Sequence, residues 1–360
     1  MHPSCCASAM QLRGYTIEIC ALCAIILSLY NIHFTLKEKE HLFHVDGDGW
    51  RTATTAISSP PWQSRPQHRY AVANFVDGPT FLYGVYSIHK QMERYNMTDH
   101  LSHIVIMPQY MRRRYGKVLS SWVGKENVRT VDRGYIINRV RPEQDLWLGP
   151  FNKLWFFNLT EFDKVITLDT DILLRTNIMH WFDYDTRYTP CAIQAKDDIS
   201  WNSGAMVIEP STHLFHSLLD ELPNVRRYNK SHVYDHDPQS SGRSDQEFIT
   251  SFFLNDTKRA KKRCIMPSES AVLTSSLIES DTFDYYNKYR PQVYQTVHFT
   301  VKKPWQKSYF EAKRGNVTVY KPVPEIICKM LWEWNESARG IEEYYDDIPP
   351  LEYDYLARCR

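Results

Sequence analysis

The stretch Lys164–Leu174, KVITLDTDILL, constrains the fold more than any other segment of the chain. Val165, Ile166 and Leu168, with Thr167 between them, read as a buried strand. At its carboxyl end stand Asp169 and Asp171, separated by Thr170. Ligands of open α/β sheets bind beyond the carboxyl ends of strands. Two carboxylates two residues apart can converge there on one hard divalent cation, and a diphosphate can complete the oxygen shell. Asp-x-Asp recurs by chance in many proteins, so its weight comes from following a buried strand.

The flanking sequence fits the same architecture. YAVANFV from Tyr70 and LSHIVIMP from Leu101 are short β-rich runs, and Phe81 to Met92 between them carries apolar residues at helical spacing. Strand, helix, strand is the opening of a parallel α/β sheet. The pattern continues with NVRTVDR as a strand, FNKLWFFNLTEF as a helix, the Lys164 strand, and further strands at CAIQA and GAMVIEP. Beyond about Lys321, PEIICKMLWEWNESARGIEEYY reads as one amphipathic helix packed on the back of the domain, followed by an acidic, Tyr-rich tail.

The N-terminus carries a different signal. Residues 15–34 include an uncharged run from Ile19 to Tyr30, extended by Ile17, Ile32 and Phe34 and interrupted by Glu18. That is about 17 to 20 residues, just enough to cross a hydrocarbon core as a helix. A cleaved signal peptide is the competing reading, but no small-x-small cleavage site follows. The expectation is therefore a cytoplasmic tail at 1–14, a transmembrane signal anchor at 15–34, a Ser/Pro-rich stem at 35–68, a catalytic domain at 69–320 and a C-terminal segment at 321–360. This is single-pass type II topology in the Golgi or ER membrane with a lumenal domain. Sequons at Asn96, Asn158, Asn229, Asn255, Asn316 and Asn335 agree with lumenal exposure. Cys191, Cys264, Cys328 and Cys359 form an even lumenal set that permits three pairings. The formal net charge of +1 gives no field to gather nucleic acid, so no nucleic-acid partner is expected.

Four ordered motifs carry a resemblance. FNKLWFFNLTEFDKVITLDTDILLRTNIMHWFD, WNSGAMVIEPS (Trp201 to Ser211), SDQEFITSFF (Ser244 to Phe253) and VHFTVKKPWQ (Val297 to Gln306) together resemble glycosyltransferase family 8, the family of glycogenin and the lipopolysaccharide galactosyltransferases. The resemblance covers roughly residues 70–310. It implies a GT-A-type nucleotide-sugar-binding fold with a mostly parallel central sheet flanked by helices. It also implies a retaining, metal-dependent glycosyltransferase that moves a hexose-type sugar from a UDP-sugar to a glycan, protein or other hydroxyl acceptor.

Residue by residue, the resemblance makes Asp169, Asp171 and His298 the ligands of a divalent cation such as Mn²⁺, and mixed carboxylate and imidazole ligation suits Mn²⁺ better than Ca²⁺. Lys303 would bind the donor diphosphate, offsetting charge that grows on the leaving group. Asn202 and Ser203 would line the donor sugar, with Gly204 allowing close backbone approach. Asp245 would bind sugar hydroxyls, and Gln246 would lie on the face of the anomeric carbon opposite the leaving group. Lys153 would contact donor nucleotide or phosphate, Thr170 would stand within the metal motif, and Asn74 would reach the uridine pocket. Gln246, Asp245 and Lys303 are the expected catalytic set. A double displacement needs a carboxylate beside the anomeric carbon, and Gln246 is a poor nucleophile, so front-side attack is favoured.

Departures from the family pattern are specific. In the short AKDDIS loop, either Asp197 or Asp198 could take the family's sugar-binding carboxylate role. Residues 224–243 are longer and more polar than expected, and neither Tyr228 nor Tyr234 is a convincing counterpart of glycogenin's self-glucosylated tyrosine. A catalytically inactive nucleotide-sugar or glycan-binding module of the same fold is the alternative reading; such a module would usually have lost an Asp or the His. An unrelated metal-dependent hydrolase lacks the expected P-loop or His-Glu-x-x-His signature.

Overall fold

A computed structural model of the chain describes residues 69–140, 148–194, 201–224, 244–254, 261–267, 269–274, 294–300, 303–305, 311–314, 317–320, 325–350 and 359. The chain divides into Met1–Ser64 and Arg65–Arg360. The expected tail, anchor and stem lie outside the described residues. Among the described residues no helix is long and apolar enough to cross a membrane.

The larger unit is built on a seven-stranded sheet. Its strands are β1 (Tyr70–Phe75), β2 (Ser102–Pro108), β3 (Val128–Val131), β4 (Lys164–Leu168), β6 (Cys191–Gln194), β7 (Trp201–Ile208) and β8 (Cys264–Ile265), in the order β3-β2-β1-β4-β7-β6-β8. β1 to β4 run parallel; β7 runs antiparallel to both neighbours, and β8 is parallel to β6. A second sheet joins β5 (Ile172–Leu174), β10 (Thr296–His298) and β9 (Ala271–Leu273), and β11 (Glu311–Arg314) pairs with β12 (Val317–Tyr320). This is a GT-A-like α/β fold with a mostly parallel central sheet.

Helices cover both faces. Along β2, Val105 and Met107 enter one apolar core while Ile104 and Ile106 enter the other, as the two-residue side-chain period of a strand requires. The first core holds α1 (Leu82–Arg94), α2 (Gln109–Val123) and α6 (Glu325–Ser337); the second holds the turns of Gly149–Asn158 together with α4 (Thr212–Glu221) and α5 (Asp245–Leu254). A short α3 (Arg133–Ile137) is capped by Asp132, whose carboxylate accepts from the Gly134 N–H at 2.8 Å. Two disulfides, Cys191–Cys264 and Cys328–Cys359, resolve the pairing that the sequence left open.

Three elements differ from the sequence reading. FNKLWFFN is a 3₁₀ run, not an α-helix. Phe151, Leu154, Phe156 and Phe157 are all buried, so its apolar residues do not form one α-helical stripe. The C-terminal helix stops at Ser337, and Gly340 takes a left-handed φ of 95° before a separate turn at Ile341–Tyr344. α6 does pack on the back of the sheet as expected, through Ile327, Leu331 and Trp334. Helix α2 had no counterpart in the sequence reading.

Two contacts fix α1 to the metal-motif strand. Gly84 lies so close to the Thr170 carbonyl that a Cβ there would stand 1.7 Å from the oxygen. Beside it runs a buried polar chain. Asn74 donates from Nδ2 to the Leu168 carbonyl at 2.6 Å, which leaves its Oδ1 to accept from His103 Nε2 at 2.6 Å. His103 is then the Nε2–H tautomer, and its Nδ1 accepts from His89 Nδ1 at 3.2 Å. Burial holds His103 well below the ordinary histidine value, and a charge on His89 would depress it further. Burial also lowers His89, although Glu93 at 3.4 Å opposes the shift.

Gly84→Ala should cost about 1–3 kcal/mol through overpacking against backbone, read as a lower denaturant midpoint. Gly78→Ala is the control, because its Cβ would meet only Phe81 at an ordinary 3.6 Å. The imidazoles also set a pH dependence. Below about 6.5 the unfolded chain binds more protons than the fold, so their contribution is intact above that pH and falls away as pH drops. Denaturation between pH 8 and 5 should show this decline, at up to roughly 1.4 kcal/mol per unit for each imidazole. His103→Gln should flatten it.

Candidate active site

Strand β4 ends at Leu168, and the chain turns through Asp169, Thr170 and Asp171 into β5. The Asp169 N–H donates to the Gly204 carbonyl at 2.7 Å, and the Ile172 N–H closes the turn on the Asp169 carbonyl at 3.2 Å. β10 pairs antiparallel with β5, placing His298 opposite Ile172, and the Phe299 N–H donates to the Asp171 carbonyl at 3.0 Å. His298 thereby joins the two aspartates. Its Nε2 lies 3.3 Å from Asp171 Oδ1 and 3.8 Å from Asp169 Oδ2, and one ligand atom from each of the three residues lies within 4.8 Å of the others.

The imidazole is held by two features of β7. Gly204 leaves room for it: a Cβ there would fall 2.2 Å from His298 Cε1. Asn202 Oδ1 accepts the Gly204 N–H at 3.0 Å, which orients the amide, and the same oxygen lies 3.0 Å from His298 Nδ1. Nδ1 therefore carries a proton, which leaves Nε2, facing the carboxylates, as the ring atom open to a metal. This is the outer-shell arrangement that fixes a metal-ligating histidine. Two carboxylates and one oriented imidazole fit a divalent transition ion such as Mn²⁺.

Two lysines share the charge. Lys153 Nζ lies 2.7 Å from Asp169 Oδ1 and 3.3 Å from Asp245 Oδ2, while Lys303 ion-pairs Asp171. Counted without the imidazole, three carboxylates face two ammonium groups, so the cluster is short of positive charge. Burial pushes Asp171 upward, but His298 and Lys303 outweigh it and hold the carboxyl well below the usual range. Asp169 goes the other way. Burial and repulsion from Asp171 and Asp245 prevail there over Lys153 and His298. Burial alone would lower Lys153, yet Asp169 and Asp245 raise it well above the ordinary lysine value.

Helix α5 brings the remaining residues. Ser244 and Glu247 form a capping box, with the Ser244 N–H and hydroxyl both donating to Glu247 Oε2 at 2.9 Å. That start aims Asp245 and Gln246 at β7. Ser203 Oγ donates to Asp245 Oδ2 at 2.8 Å, and Asn202 Nδ2 donates to Gln246 Oε1 at 3.3 Å.

Lys153, Asp169, Asp171, Asn202, Ser203, Gly204, Asp245, Gln246, His298 and Lys303 thus meet in one place. Thr170 is part of the turn, buried with its carbonyl against Gly84. Asn74 is placed differently: fully buried and engaged at both amide atoms, it supports Leu168 from within the fold. Asp197, Asp198, Tyr228 and Tyr234 lie outside the described residues. The sequence reading missed Gly84, His89 and His103. Gly84 had a signal, since glycine inside a helical pattern costs stability unless close packing requires it.

No family model matches the chain. Among curated proteins it is 28% identical over 117 residues to UDP-glucuronate:xylan alpha-glucuronosyltransferase 1 of Arabidopsis thaliana, covering 32% of this chain and 16% of that protein. It is 29% identical over 116 residues to inositol phosphorylceramide glucuronosyltransferase 1 of the same plant, covering 32% and 18%. Glycogenin of Komagataella phaffii (strain GS115 / ATCC 20864) is 32% identical over 81 residues, covering 21% and 19%. The matches span between 12% and 27% of the curated relatives' own lengths. Among solved structures, the bifunctional glycosyltransferase WbbM in its apo form shares the fold, with a TM-score of 0.50 at 12% identity over 79% of this chain and 52% of that one. In these stretches the chain is similar to glycosyltransferases, glycogenin among them, as its resemblance to glycosyltransferase family 8 implies.

Proposed function

We propose that the chain is a metal-dependent, retaining glycosyltransferase that moves a hexose-type sugar from a UDP-sugar to a hydroxyl acceptor on a glycan or glycoconjugate. The observation that carries this reading is the convergence of Asp169, Asp171 and an oriented His298 beyond β4, with Lys303 beside them. The relatives support the donor class, since two of them are named as glucuronosyltransferases and one name specifies UDP-glucuronate. Which sugar this chain transfers is a property of the pocket to be measured with a donor panel.

Asp169, Asp171 and His298 would hold the cation. When bound, such an ion neutralises the donor diphosphate and stabilises charge on the departing phosphate. Lys303 is placed to turn from Asp171 to a diphosphate oxygen. Lys153 holds the Asp169 and Asp245 carboxylates at fixed positions. Asp245 is held by Ser203 and Lys153 as an acceptor for donor-sugar hydroxyls. Gln246, tethered through Asn202, offers an amide where a double displacement would need a carboxylate. The acceptor oxygen would therefore attack on the same face as the leaving group, and the departing phosphate would take the acceptor proton. Preorganised charge and positioning supply the rate.

Location follows from the sequence. The apolar 15–34 segment and the sequons support a type II membrane protein of the Golgi or ER with this domain in the lumen. Asn96 agrees with that reading, being exposed and at a positive φ of 53° just after α1.

The purified chain with Mn²⁺ and UDP-sugars should release UDP. Asp169→Ala, Asp171→Ala and His298→Ala should each reduce release about 100-fold or more with circular dichroism unchanged. A loss of only two- or three-fold in a folded variant would argue against direct ligation. Asn202→Ala should raise the Mn²⁺ concentration for half-maximal rate by about 10- to 100-fold.

Stereochemistry is the sharper test. An α-linked donor should give an α-linked product, visible in the anomeric proton coupling of the first product formed. A β product would require a general base and would overturn the assigned mechanism. Gln246→Ala should lower turnover more than donor affinity, because its contact matters where positive charge develops.

A further inference from the structure

At the far end of β7 from the candidate active site lies a cavity of about 380 Å³. Strand β7 runs from Trp201 to Ile208, so the separation along it is roughly 20 Å at the usual rise of a strand. Tyr188, Arg187, Thr186, Glu209, His213 and Ser217 line it. Tyr188 is 41% exposed, and among the described residues only Tyr110 also stands out as a large exposed apolar side chain. The metal and donor chemistry proposed above uses none of these groups.

The cavity wall is braced. Tyr188 stands on a segment tied to the neighbouring strand by the Cys191–Cys264 disulfide, and the Cys264 N–H donates to Thr189 Oγ1 at 3.1 Å. Across the opening, Thr186 Oγ1 donates to Glu209 Oε1 at 2.7 Å, which fixes that carboxylate. Arg187 is turned onto Asp185 through two bonds of 2.8 and 2.6 Å, so its charge is locally matched.

Further positive charge stands beside Tyr188. Lys262 Nζ sits 3.7 Å from the Tyr188 ring centroid, and Lys261 and Arg263 beside it are exposed. Among the described residues none of the three has an ion-pair partner. The Lys262 ammonium, hydrogen-bonded to the phenol, lowers Tyr188 below the ordinary tyrosine value. A saccharide ring can lie against a rigid aromatic wall through its C–H groups while hydroxyl and carboxylate side chains meet its hydroxyls. Lys262, beside the Tyr188 ring, adds preference for an acid group. The volume is at the small end for ligand pockets, suited to one or two sugar rings.

We propose that this cavity is a second saccharide site, separate from the transfer site, that takes a carboxylate-bearing sugar unit against Tyr188 with its acid group toward Lys262. A glycan held there would be retained near the enzyme whether or not it is the group being glycosylated.

The test is titration of the full chain in detergent with an α-1,4-linked galacturonic acid trimer, followed by saturation-transfer NMR and thermophoresis, alongside a neutral glucose trimer. The acidic trimer should bind more tightly than the neutral one. Tyr188→Ala and, independently, Lys262→Gln should weaken it by about ten-fold, equivalent to about 1.4 kcal/mol. Asp171→Ala and saturating UDP should leave it unchanged. Equal binding of both trimers, equal binding to the variants, or displacement by UDP would each overturn the proposal. Full competition by equimolar sulfate would show a simple anion site and overturn the saccharide assignment. Binding of the trimer by a chain that releases no UDP would count against the transfer reading alone.

Discussion

The antiparallel pairing of β10 with β5 is the contact on which the candidate site depends. β5 begins immediately after Asp171, and the register sets His298 opposite Ile172. A slip of one residue would turn the imidazole to the other face of the ribbon, since side chains alternate along a strand. Gly204 then decides whether the ring can enter, because any side chain there would occupy its place. The Phe299 N–H bond to the Asp171 carbonyl closes the arrangement. A two-carboxylate turn that is local in sequence is completed by a histidine supplied from a distant segment.

The charge pattern follows from crowding carboxylates in a water-poor space. Asp169 and Asp171 are neighbours in the chain and shift in opposite directions. Asp171 has His298 and Lys303 close by, whereas Asp169 has Lys153 but feels repulsion from two carboxylates. Such a cluster is stable only while each charge keeps its partner, because an orphaned buried charge costs more than a pair gains. It also explains the fit to a divalent cation: added positive charge at that point relieves repulsion the lysines leave in place.

Much of this was legible in local sequence. The apolar run ending in Asp-Thr-Asp gave β4 and the turn. The alternating strands and the apolar spacing of α1 also read correctly. What was not legible depended on contacts between distant segments. Asn202 was expected beside the donor sugar through resemblance; the bond from His298 Nδ1 to its side chain could not be inferred from spacing. Helix α2 carries buried Met111, Tyr115, Leu119 and Trp122 at helical intervals, but the Arg112–Arg114 run interrupts the pattern to the eye. Cys191, Cys264, Cys328 and Cys359 fixed an even count without fixing the partners.

The reversed direction of β7 accounts for the form of the site. Among parallel strands, functional groups gather after the carboxyl ends, as Asp169 does after β4. β7 runs the other way beside β4, with Leu168 opposite Ala205, so it presents its beginning at that edge of the sheet. Asn202, Ser203 and Gly204 are therefore buried strand residues, not members of a free loop, and they stand where the pairing of β7 with β6 shifts register between Asn202 and Met206. Their burial and the Gly204 N–H bond to Asn202 Oδ1 let Asn202 orient both an imidazole and the Gln246 amide. The reversed strand also requires α5 to arrive with its N-terminus at the same edge, since only its first residues can reach Ser203 and Asn202. The capping box at Ser244 is thus part of the geometry of the site, because it sets where Asp245 and Gln246 begin.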